Sequence, residues 1–170
     1  MRDLLQYVNE CTNELDLIGI NYTLPKRWES SKRLTWKYGY CKISLFRNKP
    51  TIEKIVISER LLDERIPEHI LKDTIIHELI HTCDGCYDHG SKFQSIARQI
   101  NNAYGYLIET RVNDADHKIV SSIYKPKERK YKISCPTCGK TWGYKIKSKA
   151  YKYPEKFICT KCKSKLVRVS

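Results

Sequence analysis

Residues 3–18 place Leu4, Leu5, Val8, Cys11, Leu15 and Ile18 at helical spacing, one apolar face of an α-helix, with Gly19 as its stop. From about residue 33 to 57 the pattern changes. The segments RLTWKY, YCKISLF and TIEKIVI are rich in β-branched and aromatic residues, and Gly39 and Asn48-Lys49-Pro50 punctuate them. They predict three strands in a meander, because their connections are too short for helical crossovers. Pro67 opens a second helix, PEHILKDTIIHELIHT, expected to end near Cys83-Asp84-Gly85. A third starts near Ser91, carries Phe93, Ile96, Ala97, Ile100 and Tyr104 as its apolar stripe, and stops at Gly105. YLIETRV, residues 106–112, reads as a short extended segment, and HKIVSSIYKPKERK, from 117 to 130, loses periodicity and turns basic.

The chain has 170 residues, of which 41% are hydrophobic, enough for one packed domain and a small appendage. No apolar run approaches the roughly 20 residues that span a bilayer. The N-terminal MRDLLQYVNE lacks the apolar segment of a signal peptide. A cytoplasmic protein with no membrane partner is expected.

Charge divides the chain. Residues 1–117 hold 16 Lys and Arg against 17 Asp and Glu, a net of −1; residues 118–170 hold 16 against 2, a net of +14. The whole excess of +13 therefore lies in the last third. A block of that sign suits a polyanion, and it equally suits a tail kept soluble by charge.

Candidate chemistry begins at His77-Glu78-Leu79-Ile80-His81. Two histidines four positions apart on a helix project from one face, and both can reach a zinc ion at about 2.0–2.1 Å. Glu78 follows the first ligand and flanks the ion without binding it. There it can take a proton from a water whose pKa the metal lowers from 15.7 to about 7, and pass it to a leaving amine, which is peptide hydrolysis. A third ligand must come from Cys83, Asp84, Cys86, Asp88, His89 or Glu109. His89 is preferred, because a turn at Asp84-Gly85 can reverse the chain and His89-Gly90 precedes the next helix. The spacing is not that of the metzincins.

Cys135-Pro136-Thr137-Cys138 and Cys159-Thr160-Lys161-Cys162 form two C-x2-C knuckles, the spacing of a four-cysteine zinc ribbon. A closed thiolate shell has no open position, so this second zinc is structural. YKI, WGYKI, KFI and KLVRV read as its flanking strands. Cations there alternate with aromatics, a pattern suited to phosphates and stacked bases. Lys140, Trp142, Tyr144, Lys145, Lys147, Lys149 and Lys152 are the candidate nucleic-acid contacts. Cys83 and Cys86 form a third C-x2-C. Two readings fit them: thiols buried in a turn, or a redox pair that brakes the first metal site. Cys11 and Cys41 read as core residues.

The run ISERLLDERIPEHILKDTIIHELIH, with Thr74-Ile75-Ile76-His77-Glu78 inside it, and His89-Gly90-Ser91-Lys92-Phe93 resemble the SprT-like (Spartan-related) zinc metalloproteases. A C-terminal zinc ribbon is common among bacterial members. The resemblance implies His77, His81 and His89 as ligands of a catalytic zinc and Glu78 as acid/base. It also implies a small zincin-like fold and activity on proteins trapped on DNA.

The expected architecture is α+β: a zincin-like domain at 1–117, a basic linker at 118–130, and a zinc ribbon at 131–170. The expected function is a zinc endopeptidase acting on proteins bound or crosslinked to DNA, with the ribbon engaging DNA of single-stranded character. Two other readings stand beside it: a protease of one specific repressor, and an adaptor whose zincin domain is inert.

Overall fold

The structure, a computed structural model, describes residues 1–46, 49–124 and 128–169. Asn48 of the expected strand punctuation and residues 125–127 of the expected linker lie outside the described residues. The chain forms two compact units, Met1–Tyr124 and Lys125–Ser170, each α+β in content.

In the first unit, α1 (Leu4–Leu17) starts at Asp3, whose carboxylate accepts from the Leu5 amide. It buries Val8, Cys11 and Leu15 and half-buries Leu4 and Ile18, whereas Leu5, expected on the same face, is exposed. Three strands follow: β1 (Trp28–Ser31), β2 (Gly39–Phe46) and β3 (Lys49–Ser58), in the order β1-β3-β2. β2 and β3 are an antiparallel hairpin, but β1 runs parallel to β3 on its other side. The sheet is therefore not the expected meander, and its first strand is not RLTWKY. The physical reason is visible in how that segment's backbone is used. Two of its carbonyls go to side chains, Leu34 accepting from Ser58 Oγ at 2.7 Å and Thr35 from Arg60 at 3.1 Å. Trp36 points outward, 78% exposed. The segment is the crossover that carries the chain past β3.

The second helix, α2 (Glu68–Ile80), is capped by Pro67 and buries residues all round: Ile70, Leu71, Thr74, Ile75, Ile76, Glu78, Leu79 and Ile80. A helix of that kind runs through the core rather than over it. Each such apolar side chain contributes about 1.5–3 kcal/mol by leaving water. Then α3 (Ser91–Tyr104) ends at Gly105, which takes φ 74°, a left-handed conformation that favours glycine. Residues 106–113 form no strand; side chains tether them, Asp73 and Asn101 accepting from the amides of Leu107 and Ile108.

A fourth helix, α4 (Asp114–Ile123), occupies the start of the expected linker. Asn113 caps it by accepting from the Asp116 amide, Asp114 and Asp116 sit in its first turn, and Val120 packs into the core. The first unit therefore runs past 117 to Tyr124.

The second unit has a sheet of β4 (Tyr131–Ser134), β5 (Thr141–Tyr144) and β6 (Val167–Arg168), ordered β5-β4-β6 and antiparallel throughout. A single bridge joins Ile158 to Lys165. A four-residue helix, α5 (Lys149–Lys152), was not expected from the sequence. Among the described residues, its buried hydrophobic cluster is Ile133, Cys135, Cys159 and Leu166. No helix among the described residues is long and apolar enough to cross a membrane.

Candidate metal centres and the cleft

The last turns of α2 set His77 and His81 on one face, with His81 as the C-terminal cap. The chain then turns back on itself. The Cys83 amide donates to Ile80 O, the Cys86 amide donates to Cys83 O, and Gly85 adopts φ 72°. The returning segment delivers His89 just before α3, where the Gly90 amide donates to Asp88 Oδ1 and Gln94 donates to His89 O. His89 Nε2 comes to 3.0 Å from His77 Nε2 and 3.2 Å from His81 Nε2.

The outer ring nitrogens fix which lone pairs converge. His77 Nδ1 lies 3.0 Å from Glu109 O, and His81 Nδ1 lies 2.8 Å from Cys86 O. A carbonyl only accepts, so both Nδ1 atoms carry the hydrogen and both Nε2 atoms face inward with free lone pairs. Burial pushes His77 down to about 3, with His81 and His89 adding to the effect, and burial lowers His81 as well. Neutral imidazoles aimed at one point repel one another unless a cation lies between them. Three such donors, with no fourth protein ligand among the described residues, fit zinc with an open coordination position.

Phe93 ties the three together. Its ring is 1% exposed, with its centroid 4.9 Å from that of His77, 4.8 Å from His81 and 4.8 Å from His89. One apolar plate thus limits the rotation of all three imidazoles.

Glu78 is 6% exposed beside the triad. Its carboxylate accepts from the Cys41 backbone amide, while burial raises it to about 8. It sits where Gly39 has no side chain: a Cβ there would come within 2.8 Å of Glu78 Oε1. Gly39, read from sequence as strand punctuation, is therefore part of the site's construction.

These residues floor a cleft of about 610 Å³. One wall is Trp36 to Tyr38 of the crossover with Gly39 to Cys41 and Ile43 of β2, the sheet's edge strand; the other is the 107–113 segment. Four apolar side chains of the cleft are exposed: Trp36 (78%), Leu107 (62%), Tyr87 (46%) and Val112 (45%). Its acids are Asp73, Glu78, Asp88, Glu109 and Asp116, against the cations Lys37 and Arg111.

Of the other proposed ligands, Glu109 contributes its backbone rather than its carboxylate. Cys83 and Cys86 belong to the hydrophobic core, and burial raises both thiols, Cys83 to about 11. The turn they occupy touches the site through the Cys86 carbonyl on His81. Cys11 is fully buried and Cys41 half-buried.

In the second unit, Cys135, Cys138, Cys159 and Cys162 bring their sulfurs within 4.8 Å of one another. Cys135 Sγ lies 3.2 Å from Cys162 Sγ, and Cys138 Sγ lies 3.6 Å from Cys159 Sγ. Donation from the Ser164 backbone amide lowers Cys162, with the Cys135 thiol adding to it, while burial and the neighbouring thiols raise Cys138. The donor set fits a zinc ribbon.

The candidate nucleic-acid residues separate by burial. Lys140, Lys145, Lys147, Lys149 and Lys152 are exposed. Trp142 and Tyr144 are half-buried: they stand opposite Ile133 and Tyr131 across the β4–β5 pair, and both pack on the small core.

No curated protein matches the chain. The family model for the SprT-like family matches residues 4–115, which include the helix with His77, Glu78 and His81, the returning His89 and the plate beneath them. The chain belongs to the SprT-like family, and its first unit is a metalloprotease-type domain.

Proposed function

We propose that the chain is a zinc-dependent endopeptidase that cleaves proteins bound or covalently crosslinked to DNA, with the basic ribbon engaging nucleic acid. The observation that carries this is the convergence of three imidazole Nε2 atoms beside a buried carboxylate on the floor of an open cleft.

His77, His81 and His89 would hold the ion, and the Glu109 and Cys86 carbonyls keep two of those rings in the ligating tautomer. Zinc bound there supplies Lewis acidity and a water of lowered pKa. Glu78 would take that proton and return it to the departing amine. Its carboxylate is held for this by the Cys41 amide and by the space at Gly39. β2 is an edge strand whose Gly39–Ile43 stretch lines the cleft, so its free backbone groups can align an extended chain.

The lining supports a basic polypeptide as substrate through Asp88, Glu109 and Asp116, since burial holds Asp73 and Glu78 toward their neutral forms, and the exposed apolar rim suits an unfolded segment. Proteins that bind DNA are rich in such basic segments. The net of +14 over residues 118–170 supports a tether that concentrates the protease at its target. The test is cleavage of a basic DNA-binding protein with and without single-stranded DNA, over rising salt. Stimulation by DNA that fades with salt is expected; equal cleavage of free and DNA-bound protein would favour a repressor-type protease.

A further inference from the structure

The segment between His81 and His89 holds a pair of thiols that the proposed reaction does not use. Cys83-Asp84-Gly85-Cys86 is a four-residue turn: the Cys86 amide donates to Cys83 O at 3.1 Å, and Gly85 supplies the positive φ of 72°. A β-turn holds its first and last Cα atoms within about 7 Å. A disulfide spans about 4.4–6.8 Å between Cα atoms, so this pair can be bridged with little movement of the backbone. Both thiols are free and buried. Among the described residues neither joins a group of metal-ligating side chains, unlike the four ribbon cysteines.

The turn also belongs to the frame of the histidine site. The Cys86 carbonyl accepts from His81 Nδ1 at 2.8 Å, the contact that turns His81 Nε2 inward. Cys83 Sγ lies 3.9 Å from Leu79 O in the last turn of α2, and Cys86 Sγ lies 4.0 Å from Asp84 O. Bringing the sulfurs together draws both away from those carbonyls, and the Cys86 peptide that holds His81 turns with them. Little packing opposes this. Residues 82–90 form neither helix nor strand, and of residues 84–89 only Cys86 is buried. Lys92 Nζ stands over the turn, 3.2 Å from where a Gly85 Cβ would lie and 3.7 Å from Asp84 Oδ2, an ion pair open to solvent. Such a segment opens locally at small cost and admits a small oxidant.

We infer that Cys83 and Cys86 are a redox modification site, oxidised to an intrachain disulfide by a small-molecule disulfide such as oxidised glutathione, and that the bond loosens His81 from zinc. One cysteine attacks the oxidant and expels a first glutathione thiol; the other then displaces the second glutathione from the mixed disulfide. One S–S bond forms as another breaks, and two electrons and two protons pass from the protein thiols to the two glutathiones. Burial slows this exchange without changing where it settles. The inference rests on the proposed zinc site of the first unit and adds its regulation.

The test brings the full zinc-loaded chain to equilibrium in glutathione buffers that run from reducing to oxidising. Peptide mapping by mass locates each disulfide, and competition with a chromogenic chelator reads zinc retention. Two variants that cannot close the bond, C83S/C86S and C83A, are treated alike, each compared with its own reduced form. Wild type should form the Cys83–Cys86 bond and hold one of its two zincs about 10- to 100-fold less tightly, the cost of losing a hydrogen-bond partner of a ligating histidine. Dithiothreitol should restore that affinity. The variants should hold zinc equally well in every buffer.

Peptide maps with no Cys83–Cys86 bond in the most oxidising buffer would overturn the site. A bond that leaves zinc affinity unchanged would make the pair a structural staple and overturn the switch. Equal zinc loss in wild type and both variants would assign the response to other thiols and overturn it as well. Reduced wild type that holds only the ribbon's zinc would overturn the histidine metal centre itself, a different failure from a silent thiol pair.

Discussion

Gly39 and Glu78, one on the edge strand and one in the buried helix, touch so closely that the Glu78 carboxylate occupies the volume of an absent side chain. A Cβ on Gly39 would meet Glu78 Oε1 at 2.8 Å and Cγ at 2.9 Å. Gly39 is paired with Ile57 in the sheet, and Glu78 lies in a helix packed all round, so neither backbone can retreat freely. Gly39→Ala should cost about 1–3 kcal/mol of stability through overpacking. It should also lower kcat on the order of 100-fold by displacing the carboxylate. Metal counting should show unchanged zinc, since no ligand moves. Wild-type turnover in Gly39→Ala would mean the carboxylate works from another position.

Phe93 makes a second, separable prediction. It is fully buried and contacts all three imidazoles. Phe93→Ala should destabilise the first unit by about 3–5 kcal/mol and weaken zinc retention, measured by competition with a chromogenic chelator. Phe93→Leu should recover much of the stability and less of the zinc affinity, because it fills space without a flat plate. Equal recovery of both would reduce Phe93 to a core residue.

The metal-free protein should show a pH signature of Glu78. Its folded carboxyl lies at about 8 against an ordinary 4.5, so the folded chain holds this proton more tightly than the unfolded one. Stability from this group is full below 4.5 and is lost as pH rises through about 8. His77 runs the other way: lowered from 6.5 to about 3, its contribution is present above 6.5 and lost as pH falls toward 3. Glu78→Gln removes only the first dependence. In chelator-treated protein its Tm advantage over wild type should widen from pH 4.5 to about 8. A constant difference across that window would contradict the buried, uncompensated carboxylate.

The second unit should depend on its metal. Among the described residues, two apolar residues, Ile133 and Leu166, and two cysteines make up its buried hydrophobic cluster, too little to hold some 40 residues folded. Chelation, or Cys135→Ser, should raise hydrogen exchange throughout residues 128–169 while amides in α2 and β3 stay protected. Protection in the ribbon that survives metal removal would show that its core is enough.

Local pattern made the site legible where the chemistry is local. The four-residue spacing of His77 and His81, the position of Glu78 and the two C-x2-C knuckles follow from helix and turn geometry alone, and the structure brings each set together. Gly39 reads in the sequence only as strand punctuation, because its partner lies 39 residues away and only the folded sheet joins them. RLTWKY has the composition of a strand, yet Ser58 and Arg60 claim its carbonyls from outside the segment. Helix α4 was hidden by the basic run that follows it, although Asn113 and Asp116 are a capping pair that sequence does display. Burial, which commits Trp142 to packing on the small core, is a property of the folded ribbon and has no sequence signature.

The most direct measurement incubates wild type and Glu78→Gln, both with metal counted, with a basic DNA-binding protein in the presence and absence of single-stranded DNA. Two zincs per chain in both proteins, and DNA-stimulated cleavage by wild type alone, is the predicted result. Two zincs and DNA binding with no cleavage by either protein would contradict a protease and point to a nucleic-acid adaptor with an inert first unit.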